Sequence, residues 1–168
     1  MAAGVLDDLG PCSLTYNSVD IGAPFGNVLF NFSDENRSIH EAKHGTTPVD
    51  AVRVGRAVVV EAELTRLQIA TLGTLVPGAS VSSATGKMTV RSQVGGSLYA
   101  SAYELIIKPL ENGVASVTAT KWLHVKKCIP RPDFSIVYGN EEGDQRRFKV
   151  FFDAFPDATT NTLWTIGH

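Results

Sequence analysis

Residues 49–64 alternate without interruption by proline. Val52, Val54, Val58, Val60, Ala62 and Leu64 fall on one side, and Arg53, Val59, Glu61 and Glu63 on the other. A period of two over that length predicts a long β-strand with one face on a core. Arg56 interrupts the apolar side, which predicts an end or a bulge near Gly55. From Leu64 the period changes. Leu64, Leu67, Leu72 and Leu75 make a single helical stripe, with Thr65, Arg66, Gln68 and Thr71 on the wet side. Pro77-Gly78 ends it. This is the one convincing helix, over about 64–75, and its expected role is to plug an open end of a β-sandwich or barrel.

The rest of the chain supplies more strands. Residues 1–11 are small and acidic and read as an N-terminal arm. Ser13–Tyr16 is a strand, and Asn17-Ser18 turns it into Val19–Ile21. Asn27–Phe32 is the next. Residues 33–47, SDENRSIHEAKHGTT, hold a single large apolar residue, Ile39, and read as a projecting loop or hairpin. Excursions of that kind usually serve binding. Gly86–Gln93 alternates, Leu98–Lys108 is a strand stopped by Pro109, and Asn112-Gly113 is a hairpin turn into Val114–Lys127. Pro130 and Pro132 open a short segment, Phe134–Tyr138, followed by a loop at 139–143. Arg147–Phe155 is the last long strand, ahead of an apolar patch of Leu163, Trp164 and Ile166. The expected architecture is all-β in one domain, 1–168: a sandwich or barrel of two sheets, one short flanking helix and one long polar excursion.

Composition narrows the function classes. Hydrophobic residues at 43 % argue for a packed core over disorder. A net charge of −2 gives no global reason to bind nucleic acid. Cys12 and Cys128 are too few for a disulfide scaffold and lack C-x-x-C spacing, so two thiols in a reducing compartment are expected. No apolar run reaches the ~18 residues that span a bilayer. The first residues lack a basic region followed by an apolar one, so no secretory signal is expected.

The most tempting motif is His40-Glu41-Ala42-Lys43-His44, the H-E-x-x-H of zinc peptidases. That chemistry needs both histidines on one side of a helix, a glutamate to polarise zinc-bound water, and a third ligand. Here the preceding residues, Asp34 to Ile39, are polar, and Gly45 and Pro48 follow closely. Asp50 could be a third ligand, but Thr47 stands where the extended form of the motif has glycine. A polar loop facing solvent or a partner is the preferred reading. The zinc peptidase using His40, Glu41, His44 and perhaps Asp50 stays as an alternative. No G-x-S-x-G, phosphate-binding Gly-Lys-Ser/Thr loop or C-x-x-C is present, and neither cysteine has a nucleophile signature. Lys121, Lys126, Lys127 and Arg131 beside Trp122 could touch nucleic acid, but read as a solvated strand edge. Val59, Trp122, Phe151 and Phe155 lie opposite the inferred core faces, and so do Tyr99 and Tyr103 if Leu98, Ala100 and Ala102 face inwards. Such a surplus fits a two-layer core whose faces are partly covered by loops, or an oligomer in which sheets of neighbouring subunits abut.

Several residues together resemble the tail tube protein of long-tailed bacteriophages. They are Val19-Asp20-Ile21-Gly22, a polar stretch leading to Glu41, Gly45-Thr46-Thr47-Pro48-Val49, the alternating run Val54 to Glu61, the helix at 64–75, and the closing Arg147 to Asp157. The resemblance is one of pattern and order over most of the chain. It implies a β-sandwich subunit that forms hexameric rings, whose inner sheets join into one barrel, stacked into a tube through which phage DNA passes. It implies a virion location, assembly in the host cytoplasm, and tape-measure and terminator proteins as partners. No catalysis, cofactor or metal is expected. Arg37, His40, Glu41 and His44 are the expected inter-ring contacts, and Phe151 and Phe155 the expected subunit-interface residues. A tail terminator, a decoration protein, the inner tube of a contractile tail and a type VI secretion tube are neighbouring possibilities.

Overall fold

A computed structural model describes residues 10–22, 24–65, 68–92, 94–134 and 147–167. The arm at 1–11 therefore lies almost wholly outside the described residues, as do Ser135–Tyr138 and the loop at 139–143.

The described residues are mostly β, with one α-helix. The strands are β1 (Cys12–Tyr16), β2 (Val19–Gly22), β3 (Leu29–His40), β4 (Pro48–Thr65), β5 (Ala79–Ser82), β6 (Lys87–Val90), β7 (Tyr103–Glu111), β8 (Val114–Ala115), β9 (Leu123–Asp133), β10 (Arg147–Phe155) and β11 (Trp164–Ile166), with helix α1 (Ile69–Leu75) between β4 and β5. Nine strands form one antiparallel sheet, ordered β2-β1-β7-β9-β10-β4-β3, with β11 on β9 and β8 on β7. β5 and β6 form a separate hairpin. The tight turns use backbone that matches strand twist: Asn17 and Ser18 both have positive φ, and so do Asn112 and Gly113.

The large sheet curls on itself. β1 and β10 are separated by β7 and β9, which in a flat sheet would hold them about 14 Å apart. Yet the Tyr16 and Phe152 rings lie 5.5 Å apart, and the Tyr16 hydroxyl donates to the Cys128 carbonyl across β7 at 3.2 Å. The inside of the curl is the core. Leu14, Tyr16, Val58, Val60, Ala62, Leu64, Leu105, Val125, Val150 and Phe152 fill it. α1 closes it, with Leu75 buried in the same cluster and Leu72 packed against it. The hairpin β5–β6 rests on α1, where a side chain at Gly73 would run into Val81.

Five expectations need correction. The helix begins at Ile69, not Leu64. Leu64 and Thr65 pair with Phe148 and Arg147, so the ladder with β10 holds them extended although Leu64 also fits the helical stripe. β7 starts at Tyr103, after a 3-10 turn at Tyr99–Ser101, and runs through Pro109 to Glu111. Tyr103 stays 45 % exposed there, with its ring edge against Tyr16, while Ala102 before it is fully buried. The expected strand Val114–Lys127 is broken by a 3-10 turn at Ala119–Lys121. β9 then passes through Pro130 and Pro132 instead of ending before them. β7 begins opposite Cys128, so beyond it one flank of β9 has no strand among the described residues, and a proline can face that flank with no N–H to leave unpaired. Finally β3 does not stop at Phe32. It continues to His40 and pairs with β4 throughout, so the polar excursion is a hairpin.

Candidate assembly surfaces

The outer part of β3 and β4 leaves the body as a two-stranded ribbon. From Asn31 to His40 every β3 residue is exposed, and so is β4 from Pro48 to Ala57 apart from Gly55. The reason is the end of β10. Its last partner on β4 is Val59, so beyond that residue no third strand among the described residues flanks the pair, and past Val58 and Phe32 its faces are open. Ile39, Val49, Val52 and Val54 consequently stand in solvent.

A bulge sits where Gly55 and Arg56 led it to be expected. Glu35 pairs with Gly55 and Asn36 with Arg53, leaving Val54 as one extra residue on β4. The bulge overturns the expected faces of the outer half. Residues three apart on a regular strand point opposite ways, but here Arg53 and Arg56 both reach Asp34. Arg53 Nε donates to both carboxylate oxygens at 2.9 and 3.0 Å, and Arg56 lies 3.6 Å away. Val52 moves to the other face, opposite Arg37. Arg56 also lies over the Phe32 ring, 5.9 Å from its centroid, and Trp164 from β11 packs on Phe32 and Phe30. This aromatic and ionic cluster anchors the ribbon where it leaves the core. In the sequence Asp34 reads only as part of a polar stretch and Trp164 only as part of a late apolar patch. Cross-strand proximity was the missing information.

The H-E-x-x-H residues form the ribbon tip. His40 ends β3, and Ala42–His44 is one 3-10 turn, closed by the His44 N–H donating to the Glu41 carbonyl at 3.0 Å. Gly45, with φ of 61°, reverses the chain. His40 is thus on a strand and His44 in a turn, not on the α-helix that a zinc peptidase requires. Among the described residues no three His, Cys, Asp or Glu side chains gather as metal ligands. Arg37, His40, Glu41 and His44 are all exposed; the last three form the tip, and Arg37 lies three residues before it on β3.

Phe151 and Phe155 do lie on the sheet face opposite the core, and both are half-buried by their own subunit. The Arg131 guanidinium is 5.1 Å and the Lys149 ammonium 5.0 Å from the Phe151 ring. Phe155 packs on Tyr99 with centroids 6.0 Å apart. Around them charges alternate in sign across the strands. Arg131 donates to both carboxylate oxygens of Asp153, Lys149 meets Glu61, Arg147 meets Glu63, and Glu104 takes Lys126 and His124. The cations expected to form a basic edge are therefore largely neutralised within the sheet.

Nucleophilic chemistry finds little support in either thiol. Burial raises the pKa of Cys12 and of Cys128 above the usual thiol range, so both stay protonated at neutral pH. A cleft of about 970 Å³ opens at the mouth of the curl, walled by Pro11, Cys12, Val28, Phe30, Ile107 and Leu123 with Lys121 at its side. Its lining is too apolar to suggest an acid–base pair. Among the described residues no helix is long and apolar enough to cross a membrane. No protein-family model matches this chain, and no curated protein matches it.

Proposed function

We propose that the protein is a structural subunit that assembles with copies of itself into hexameric rings, stacked as the tail tube of a long-tailed phage. The observation that carries this reading is the ribbon: two strands that extend past the core with apolar side chains in water on both faces. A monomer gains nothing from such an extension, because an isolated two-stranded hairpin is at best marginally stable. An assembly gains a grip on its neighbour.

Two further features support it. The large sheet ends at β2 and at β3 with unpaired edges among the described residues, so copies can join head to tail and close a ring. The paired charges of the sheet face suit the wall of a DNA conduit, since an uncompensated basic wall would retain the polyanion. Tape-measure and terminator proteins are the partners this reading implies, the virion tail the location, and neither catalysis nor a cofactor is needed.

Negative-stain microscopy of the purified protein over rising concentration tests it. Rings and tubes are expected. A variant in which residues 37–52 are replaced by Asn-Gly should keep the fold of the body and lose the tubes. A wild-type protein that stays monomeric at every concentration overturns the proposal.

A further inference from the structure

The edge of β3 turned away from β4 carries no strand among the described residues. It lacks most of the usual protections. Leu29–His40 contains no proline, glycine or lysine, and the extra residues of both ribbon bulges, Val49 and Val54, sit on β4. The free edge of β3 is therefore a regular row of backbone donors and acceptors. Among the described residues its guards are charges. Asp34 is taken by Arg53 and Arg56, whereas Glu35 and Arg37 make no ion pair among the described residues. They stand two apart on one face of the strand, opposite in sign.

We propose that β3 pairs antiparallel with β3 of a second copy, about a two-fold axis through Asn36. An axis normal to the sheet keeps each face on its own side, so only registers centred on a residue are allowed. Centring on Asp34, Glu35 or Arg37 sets that charge against itself. Centring on Asn36 sets Glu35 opposite the second copy's Arg37 and Arg37 opposite its Glu35. Asn36 then meets Asn36, an amide that both donates and accepts. The overlap runs from Phe32 to His40. Opposite charges directly across a sheet stabilise it and like charges oppose it, so the strand is complementary to itself in this register and not in its neighbours.

The pairing stands on the edge and its charges alone; only its meaning rests on the tube reading. A two-fold contact closes on itself, whereas a ring needs head-to-tail contacts. The dimer thus holds subunits out of the ring and covers a strand edge that would otherwise recruit any passing chain, until assembly begins.

Charge reversal tests it, read by light scattering and sedimentation with circular dichroism as the folding control. Wild type is expected to contain a dimer. Glu35→Arg and Arg37→Glu each turn two attractive pairs repulsive and should weaken the dimer by about tenfold or more. The double variant E35R/R37E restores complementarity and should dimerise as wild type does. Mixing the two single variants should produce heterodimers. A wild type with no dimeric species, whether monomer alone or rings alone, overturns the proposal, and so do single variants that dimerise as tightly as wild type. Rings without a dimer leave the tube reading intact, while a dimer that never yields rings or tubes removes that reading and keeps this one.

Discussion

The inner and outer halves of β4 are one strand of similar residues with opposite surroundings. From Val58 to Leu64 every second side chain is at most 1 % exposed. In the outer half Val52 is 52 % and Val54 60 % exposed. Valine is the main apolar residue in both. What differs is the surroundings: the inner half pairs with β10 from Val59 to Thr65 and with β3 as far as Glu61, and it faces the rest of the curl, while among the described residues the outer half has only β3. Alternation therefore marks a strand, and burial is decided by what flanks it. The charges divide only in part. Acids and bases meet across strands in the sheet body and in the Asp34 clamp at the ribbon's base, whereas Glu35 and Arg37 further out make no ion pair within the described residues.

The largest test of this contrast is truncation on each side of it. Phe152 is fully buried against Tyr16. Phe152→Ala should cost about 3–5 kcal/mol of stability in urea unfolding, whereas Val52→Ala should stay within about 0.5 kcal/mol. A Val52→Ala cost near that of Phe152→Ala would break the comparison, since it would mean the ribbon is packed in solution. The next effect down concerns the curl itself. Tyr16→Phe removes the hydroxyl that reaches across β7 to the Cys128 carbonyl, and should cost about 0.5–1.5 kcal/mol. An unchanged midpoint would mean that apolar contact alone holds the curl closed.

Much of this architecture was legible in the sequence, and the failures have a common cause. Arg147–Phe155 and the two-residue turns were read correctly because local pattern suffices for them. The bulge near Gly55 was legible because an arginine interrupted an apolar row. The start of α1 was not, because Leu64 satisfies both a period of two and the helical stripe, and pairing with Phe148 decides between them. The passage of β9 through Pro130 and Pro132 depends on where β7 begins, which is not local information either. The ribbon was half legible. Its polarity announced an excursion, but its extended pairing, and the Asp34 clamp that the bulge makes possible, exist only across strands.

That clamp gives the third test. Asp34→Ala frees Arg53 and Arg56, which are exposed, so global stability should fall by less than about 1 kcal/mol. Amide exchange should report it better. Protection between Ser33 and Arg56 should drop while that of β9 and β10 stays as in wild type. Exchange that is unchanged in the ribbon would place its anchor in the Phe32–Trp164 contact instead.

The smallest effect sharpens the contrast from the body's side, through Glu104. Burial pulls the pKa of its carboxyl upwards, but hydrogen bonds from Lys126 and His124, with their charge, outweigh this and the net shift is downwards from 4.5. A carboxylate with a depressed folded pKa adds stability above the unfolded value, and that contribution is lost as pH falls through the folded value. Wild type should therefore exceed Glu104→Gln in urea midpoint near neutral pH, and the gap should narrow below 4.5 as the carboxylate takes up its proton. Glu104 is 39 % exposed, so solvent screening keeps the gap small. A gap that stays constant down to about pH 3 would assign Glu104 a role in shape rather than charge. Cross-strand charge pairing would then cease to distinguish the body from the ribbon at this position, leaving burial as the difference between them.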